Sequence, residues 1–162
     1  APTDPRVRLT LAAVGRSRSG PEREMVDDYL TRAARTGRGI GLTEARLVEV
    51  EAKGGSGPAG EADALRRAIP GGACIVCLDE RGRTLSSPDL ARRIADWRDV
   101  GQRDAAFVLG GADGLDRTLV AEADLVLSLG PMVWPHMLAR VMVAEQLYRA
   151  ASILAGTPYH RD

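Results

Sequence analysis

The sequence predicts an α/β domain built on a mostly parallel sheet. Short apolar runs alternate with longer amphipathic, helix-periodic ones along the whole chain. Gly, or Ser followed by Pro, punctuates the joins. The 162 residues suit a single domain over 1–162, with no internal repeat.

Taken in order, "VRLTLAAVG" (Val7 to Gly15) reads as a strand, and "PEREMVDDYLTRAART" reads as a helix. Ser19 is the expected cap of that helix, Pro21 suits its first turn, and Gly37 ends it. Met25, Tyr29, Leu30 and Ala33 mark its apolar face. "ARLVEVE" (Ala45 to Glu51) alternates as a strand does. The Gly/Ser-rich stretch Ala52 to Gly60 is either a mobile lid or a linker. A helix from about Glu61 to Ala68 leads to the strand "ACIVCLDERG". "SSPDLARRIADWRDVG" carries its own Ser cap, an apolar Leu90/Ile94/Trp97 face and a terminal Gly101. The strand "AAFVLGG", a short helix near Leu115 to Ala121 and the strand "DLVLSLG" follow. The turn "PMVWP" then opens a helix from Pro135 to Leu154, ended by Gly156.

Composition narrows the function classes. Apolar residues make up 44% and charged residues 27%, as in a folded water-soluble domain. No run reaches the roughly 18 apolar residues of a membrane span. The opening "APTDPRVR" lacks the apolar core of a signal peptide, so a cytoplasmic protein is expected. Net charge is zero, which gives no global attraction to nucleic acid, although a basic face remains open. Lys53 is the sole lysine among 22 basic residues. That bias reflects either codon usage or phosphate contact by arginine.

Cys74 and Cys77 form a C-x-x-C inside a strand, where positions i and i+3 point to opposite faces. They read as core residues, and no metal site is expected. In the loop after the strand at Phe107 the spacing G-x-G-x-x-G is absent, since the glycines fall at 110, 111 and 114, and the chain lacks G-x-x-x-x-G-K-[ST] and H-E-x-x-H. Three strand-end loops do converge in expectation: "LDERG", "LGGADG" and "LGPMVWPH". Ligands of open parallel sheets bind at the carboxyl ends of strands. Bare amides and carbonyls there, with Met132, Val133 and Trp134 as apolar walls, suit a flat, partly polar cofactor. His136, at a helix start, and His160, in the tail "PYHR", are the only histidines.

"LDERGRTLSSPDLA", "FVLGGADGL", "LSLGPMVWPHMLARVMVAEQLYRA" and the final "YHRD" together resemble the bacterial ribosomal RNA large-subunit methyltransferase H family. That family is similar in fold to the SPOUT methyltransferases. The resemblance runs through nearly the whole chain, while residues 35–62 diverge and Gly130-Pro131 replaces polar residues. It implies an S-adenosyl-L-methionine-dependent enzyme that methylates N3 of a pseudouridine in 23S rRNA on the assembled ribosome. It also implies a homodimer and a deep trefoil knot over about residues 74–162. The expected cofactor residues are Leu78, Gly110, Gly111 and Leu129, Gly130, Pro131, Met132, Val133 and Trp134. The apolar turn is expected to be buried by the knot and a partner subunit. The long helix is expected to offer Leu138, Val141, Met142, Leu147 and Ile153 to core and partner.

The reacting nitrogen of such a substrate is an imide N–H, so a base and a cation near the developing anion would both help. His136, Arg140, Tyr159 and His160 are the expected catalytic residues. Arg140 and Arg149, nine apart on a helix, point opposite ways and are expected to do different jobs. Arg16, Arg18 and Arg161, with Arg6 and Arg23 behind them, are the candidate phosphate contacts. Two rival readings use the same pocket. One is a non-catalytic nucleotide-binding or ribosome-associated module, and the other a dinucleotide-dependent oxidoreductase.

Overall fold

The structure is a computed structural model that describes residues 4–52 and 56–161. The centre of the Gly/Ser-rich stretch (53–55), the first three residues and the closing Asp162 lie outside the described residues. The elements run β1 (Val7–Val14), α1 (Pro21–Gly37), a 3₁₀ turn (Arg38–Ile40), β2 (Leu42–Val50), α2 (Gly57–Ala68), β3 (Cys74–Arg83), α3 (Ser87–Asp99), β4 (Asp104–Leu109), α4 (Arg117–Ala121), β5 (Leu125–Leu127) and α5 (His136–Ala155).

The five strands form one sheet in the order β2-β1-β4-β3-β5, and each neighbouring pair is parallel. Both faces are covered, which is why the central strands read as apolar runs. The period-2 alternation of side chains sorts the core into two layers. Leu9, Leu11, Val76, Phe107 and Leu109 face α1, α3 and α5. Ala12, Val14, Ala106 and Val108 face Leu65 of α2 and Leu119 of α4. Cys74 belongs to the first layer and Cys77 to the second, so the two thiols sit on opposite faces.

Several elements differ in detail from expectation. Helix α1 is capped at Gly20, with no side-chain cap, so Ser19 does not fill that role. Its buried residues are Val26, Leu30 and Ala33, while Met25 is 44% exposed. Helix α2 begins at Gly57, inside the stretch read as lid or linker, because Pro58 suits a first helical turn. Strand β2 begins three residues earlier than expected. Strand β3 pairs with β5 up to Leu78, loses register, and pairs again at Arg83. The residues between, Asp79 to Gly82, therefore bow out within the strand run. Helix α3 carries its Ser86 cap, whose hydroxyl accepts from Asp89 N at 3.1 Å.

Helix α5 packs mainly on α1 and then on α3. It buries Val141, Val143, Ala144, Leu147, Ala150 and Ala151, while Leu138 is exposed and Met142 and Ile153 are half-buried. The segment before it leaves the sheet edge at β5. It is held there by Ser128, whose amide donates to Arg83 O at 2.8 Å and whose hydroxyl donates to Glu80 O at 3.1 Å.

Candidate functional site

At the carboxyl ends of β3, β4 and β5 lies a cavity of about 760 Å³. Three segments wall it: Leu78 to Arg81, Leu109 to Arg117, and Leu129 with Gly130 and Met132 to Trp134. Leu127 of β5, His136 and Ala139 in the first turn of α5, and Pro58 in the first turn of α2 complete the lining. All the expected cofactor residues except Pro131 line this space, and Pro131 sits in the same turn.

The loops owe their shape to local bonding. Gly114 N donates to Gly111 O at 3.1 Å, closing the "GGADG" turn. A Cβ on Gly110 would stand 2.6 Å from the Gly114 carbonyl carbon, so the turn itself demands glycine there. Gly130 has φ +104, a conformation other residues rarely adopt, and its amide donates to Ser128 Oγ at 3.0 Å. The apolar wall is open on its outer side. Met132 is 67% exposed and Val133 86%, so this chain does not itself bury the turn, contrary to half of the expectation.

The lining is acidic. It holds four carboxylates (Asp79, Glu80, Asp113 and Asp116) against two guanidinium groups, Arg81 and Arg117. Asp79 pairs with Arg117 and accepts the Arg81 amide at 2.9 Å. Burial would raise its pKa, but the Arg117 contact and the Arg81 amide outweigh that and hold it below its ordinary value. Behind Gly111 stands Glu61, one carboxylate oxygen of which is buried without a hydrogen-bond partner. Burial, then the charge of Asp113, raises the Glu61 pKa. A negative lining with an apolar flank fits a cationic, partly flat ligand, and the volume lies within the roughly 300–1,000 Å³ of small-molecule sites. S-adenosyl-L-methionine, a sulfonium carrying an adenosine, has those properties.

The catalytic expectations separate in space. His136 is exposed at the cavity rim. Arg140 is placed differently from a free cation: it is 2% exposed. Its Nη1 donates to Glu49 at 2.6 Å, and its Nη2 donates to the carbonyls of Val14 and Gly15 at 2.6 and 2.7 Å. Those bonds face the ends of β1 and β2, so Arg140 enters the cavity wall only through the helix that carries it. Arg149 has different partners. It holds Glu145 at 2.8 Å, stacks 4.7 Å from the Tyr159 ring centroid and reaches His160 Nδ1 at 3.1 Å. The tail thus folds back on the second half of α5. Tyr159 and His160 are half-buried and do not line the cavity at the ends of β3, β4 and β5. Arg16, Arg18 and Arg161 are exposed, with Arg16 3.6 Å from Glu51.

A second cavity of about 530 Å³ shares Leu127, Leu129 and Gly130 with the first and runs between α3 and α5 to Glu145 and Tyr29. The sequence reading missed Asp79, Arg117, Glu49 and Glu145 as organising charges. Only Glu49 carried a signal, as one of the regularly spaced acids of "LVEVE".

The description "Predicted SPOUT methyltransferase" belongs to the family model that matches residues 7–160. Ribosomal RNA large subunit methyltransferase H of Roseobacter denitrificans is 64% identical over 156 residues, covering 96% of this chain and 100% of the relative. Its namesake in Dinoroseobacter shibae is 63% identical over 155 residues, covering 96% and 99%. A probable methyltransferase of Bordetella pertussis Tohama I shares the fold with TM-score 0.51 at 19% identity, over 90% of this chain and 95% of that one. With the model spanning nearly every described residue and relatives this similar along the whole length, the chain belongs to the SPOUT methyltransferase family.

Proposed function

We propose that the chain methylates N3 of a pseudouridine in 23S rRNA of the large ribosomal subunit, on the assembled ribosome, with S-adenosyl-L-methionine as donor. The observation that carries this reading is the single acidic cavity into which all three strand-end loops open. The names of the 63% and 64% identical relatives point to the same substrate class.

Leu78, Gly110, Gly111 and Leu129 to Trp134 would hold the donor, with backbone groups on the adenosine and Met132, Val133 and Trp134 flanking it. When bound, S-adenosyl-L-methionine supplies a methyl group on a cationic sulfonium. The protein's part is then alignment of the substrate nitrogen and removal of its proton. His136 stands at the cavity rim, where an imidazole can accept that proton. Tyr159, His160 and Arg161 offer a ring to stack on a base, a second imidazole, and a guanidinium for a phosphate or an imide oxygen. Arg16 and Arg18, exposed after β1, are suited to the RNA backbone.

The protein acts as a homodimer in this reading. Met132, Val133, Trp134 and Leu138 form an exposed apolar group at the start of α5, and a partner copy would cover it. Because the tail lies on the far half of α5, it serves the partner's cavity rather than its own. The part from about residue 74 forms a trefoil knot. The hydrogen bonds that Ser128 makes to Glu80 and Arg83, followed by the return of α5 to the end of β1, support such a crossing.

Transfer of labelled methyl from S-adenosyl-L-methionine to ribosomes lacking this modification is the test. Labelled 23S rRNA with the label on N3 of a pseudouridine is the expected result. Donor binding without any transfer to ribosomes would overturn it.

A further inference from the structure

We propose that Glu49 and Arg140 are a positioning pair that locks the loop after β1 to the N-terminal half of α5, and so sets the geometry between bound RNA and donor. The proposal rests on the methyltransferase reading above and adds a residue, Glu49, that no part of that reading uses.

Arg140 heads the large, fully buried side chains of the protein, an unusual place for a guanidinium. Its three hydrogen bonds go to Glu49 and to the carbonyls of Val14 and Gly15. Those carbonyls lie where β1 ends, beside the closing ladder bond from Gly15 N to Val50 O at 2.8 Å. The same Glu49 oxygen accepts the amide and the hydroxyl of Ser17, each at 2.7 Å. Its other oxygen accepts Arg23 Nη1 at 3.1 Å, and that guanidinium also reaches the Ser17 hydroxyl at 3.1 Å. One carboxylate thus ties together β2, the loop carrying Arg16 and Arg18, α1 and α5.

A buried ion pair is a poor source of net stability, since apolar residues of similar volume often serve as well or better. What this pair does supply is one geometry. His136 lies four residues before Arg140, so both occupy adjacent turns on one side of α5. Ala139 and His136 also line the donor cavity. Pinning Arg140 therefore fixes how far the first turn of α5 stands from the β1 end, and with it the distance between the His136 imidazole and Arg16 and Arg18. The donor loops are shaped by other bonds, those of Ser128 and of Gly111 with Gly114, which do not involve the pair.

The test compares wild type, Glu49→Gln, Arg140→Met, Arg140→Lys and the Glu49→Gln/Arg140→Met double variant. Each is checked for fold by circular dichroism and thermal unfolding, for S-adenosyl-L-methionine affinity by calorimetry, and for kcat and KM on ribosomes. In folded variants, kcat should fall by about 10²-fold, as a displacement near 1 Å does, with donor affinity little changed. The double variant should lose no more than the worse single one, because both cut one linkage. Arg140→Lys should recover part of the rate that Arg140→Met loses. If Arg140→Met fails to fold, the nearly isosteric Glu49→Gln still decides the question. Wild-type kcat in folded Glu49→Gln, additive losses in the double variant, or rate losses matched by donor affinity would overturn the proposal. Wild-type protein that transfers no methyl to ribosomes would instead sink the methyltransferase reading.

Discussion

Tyr159 donates its phenolic hydrogen to Glu145 Oε2 at 2.7 Å, and this bond fastens the end of the chain to the middle of α5. The Tyr159 ring also packs 4.5 Å from the centroid of Tyr148. Burial, then Glu145, raises the Tyr159 pKa, so the phenol stays protonated and keeps donating across the physiological range.

Truncation after Pro158 therefore removes a docked structure rather than a loose end. Because the cavity proposed to hold the donor draws no residue from the tail, S-adenosyl-L-methionine affinity should stay near wild type by calorimetry. Methyl transfer to ribosomes should fall by at least about 10²-fold, the lower range for one lost acid or base. Equal turnover by truncated and intact protein would return the tail to a purely structural role.

Gly110→Val should abolish donor binding. A Cβ there meets Gly114 and Leu115 backbone within 3 Å, so the first casualty is the "GGADG" turn. Thermal stability should fall with affinity, because the loop must move to admit the side chain. Unchanged donor affinity in this variant would remove the loop from the pocket.

The strands and most helices were legible because period-2 and period-3.6 patterns survive in each. Phe107 and Val108, on opposite sheet faces, are both apolar because both faces are covered. The start of α2 was not legible: Gly57, Pro58 and Gly60 carry loop composition, yet Pro58 sits in a first turn, where its missing N–H costs nothing. The loops that line the cavity at the ends of β3, β4 and β5 were legible through their glycines and the apolar "MVW". Arg140 was not. A charged residue on a helix reads as solvent-facing, and its partner Glu49 lies 91 positions away, with backbone carbonyls as the other acceptors. Likewise the docking of the tail depends on Glu145 and Arg149, whose i,i+4 spacing reads as an ordinary surface pair.

Glu49 and Asp79 should make the fold acid-labile. Burial would raise the Glu49 pKa, but the Ser17 bonds and Arg140 hold it below its ordinary 4.5. Asp79 is likewise held below its ordinary 3.8. A carboxylate with a depressed folded pKa stabilises above its unfolded value, and that share is lost as pH falls through the folded value. Melting temperature should thus be flat from neutrality to about pH 5 and drop below it, with a shallower drop in Glu49→Gln. Identical profiles for the two proteins would count against the Glu49 assignment.

Both thiols should be inert in the folded protein. Burial pushes Cys74 and Cys77 up to about 12, and they lie on opposite sides of the sheet. Thiolate is the reactive form, so labelling by an aromatic disulfide reagent near neutral pH should await unfolding and then reach both thiols. Rapid labelling of native protein would show the central sheet to open far more readily than its burial implies.

In the proposed homodimer, mixing two variants expected to be inactive assigns the tail and the cavity to the same or to opposite subunits. One carries Gly110→Val, with its cavity ruined and its tail intact. The other is truncated after Pro158, with its cavity intact and its tail gone. If the tail served its own subunit, every site in a mixed dimer would still lack one component, and mixing would restore nothing. If it serves the partner, each mixed dimer holds one complete site: the intact cavity of the truncated subunit with the tail of the other. Random re-association of equal amounts makes about half the dimers mixed, so about a quarter of wild-type methyl transfer should return. The geometry favours the second outcome, since Tyr159 and His160 bind Glu145 and Arg149 and do not reach the lining of their own donor cavity. No recovery on mixing, with exchange of subunits verified by mass, would require the tail to swing from α5 into its own cavity.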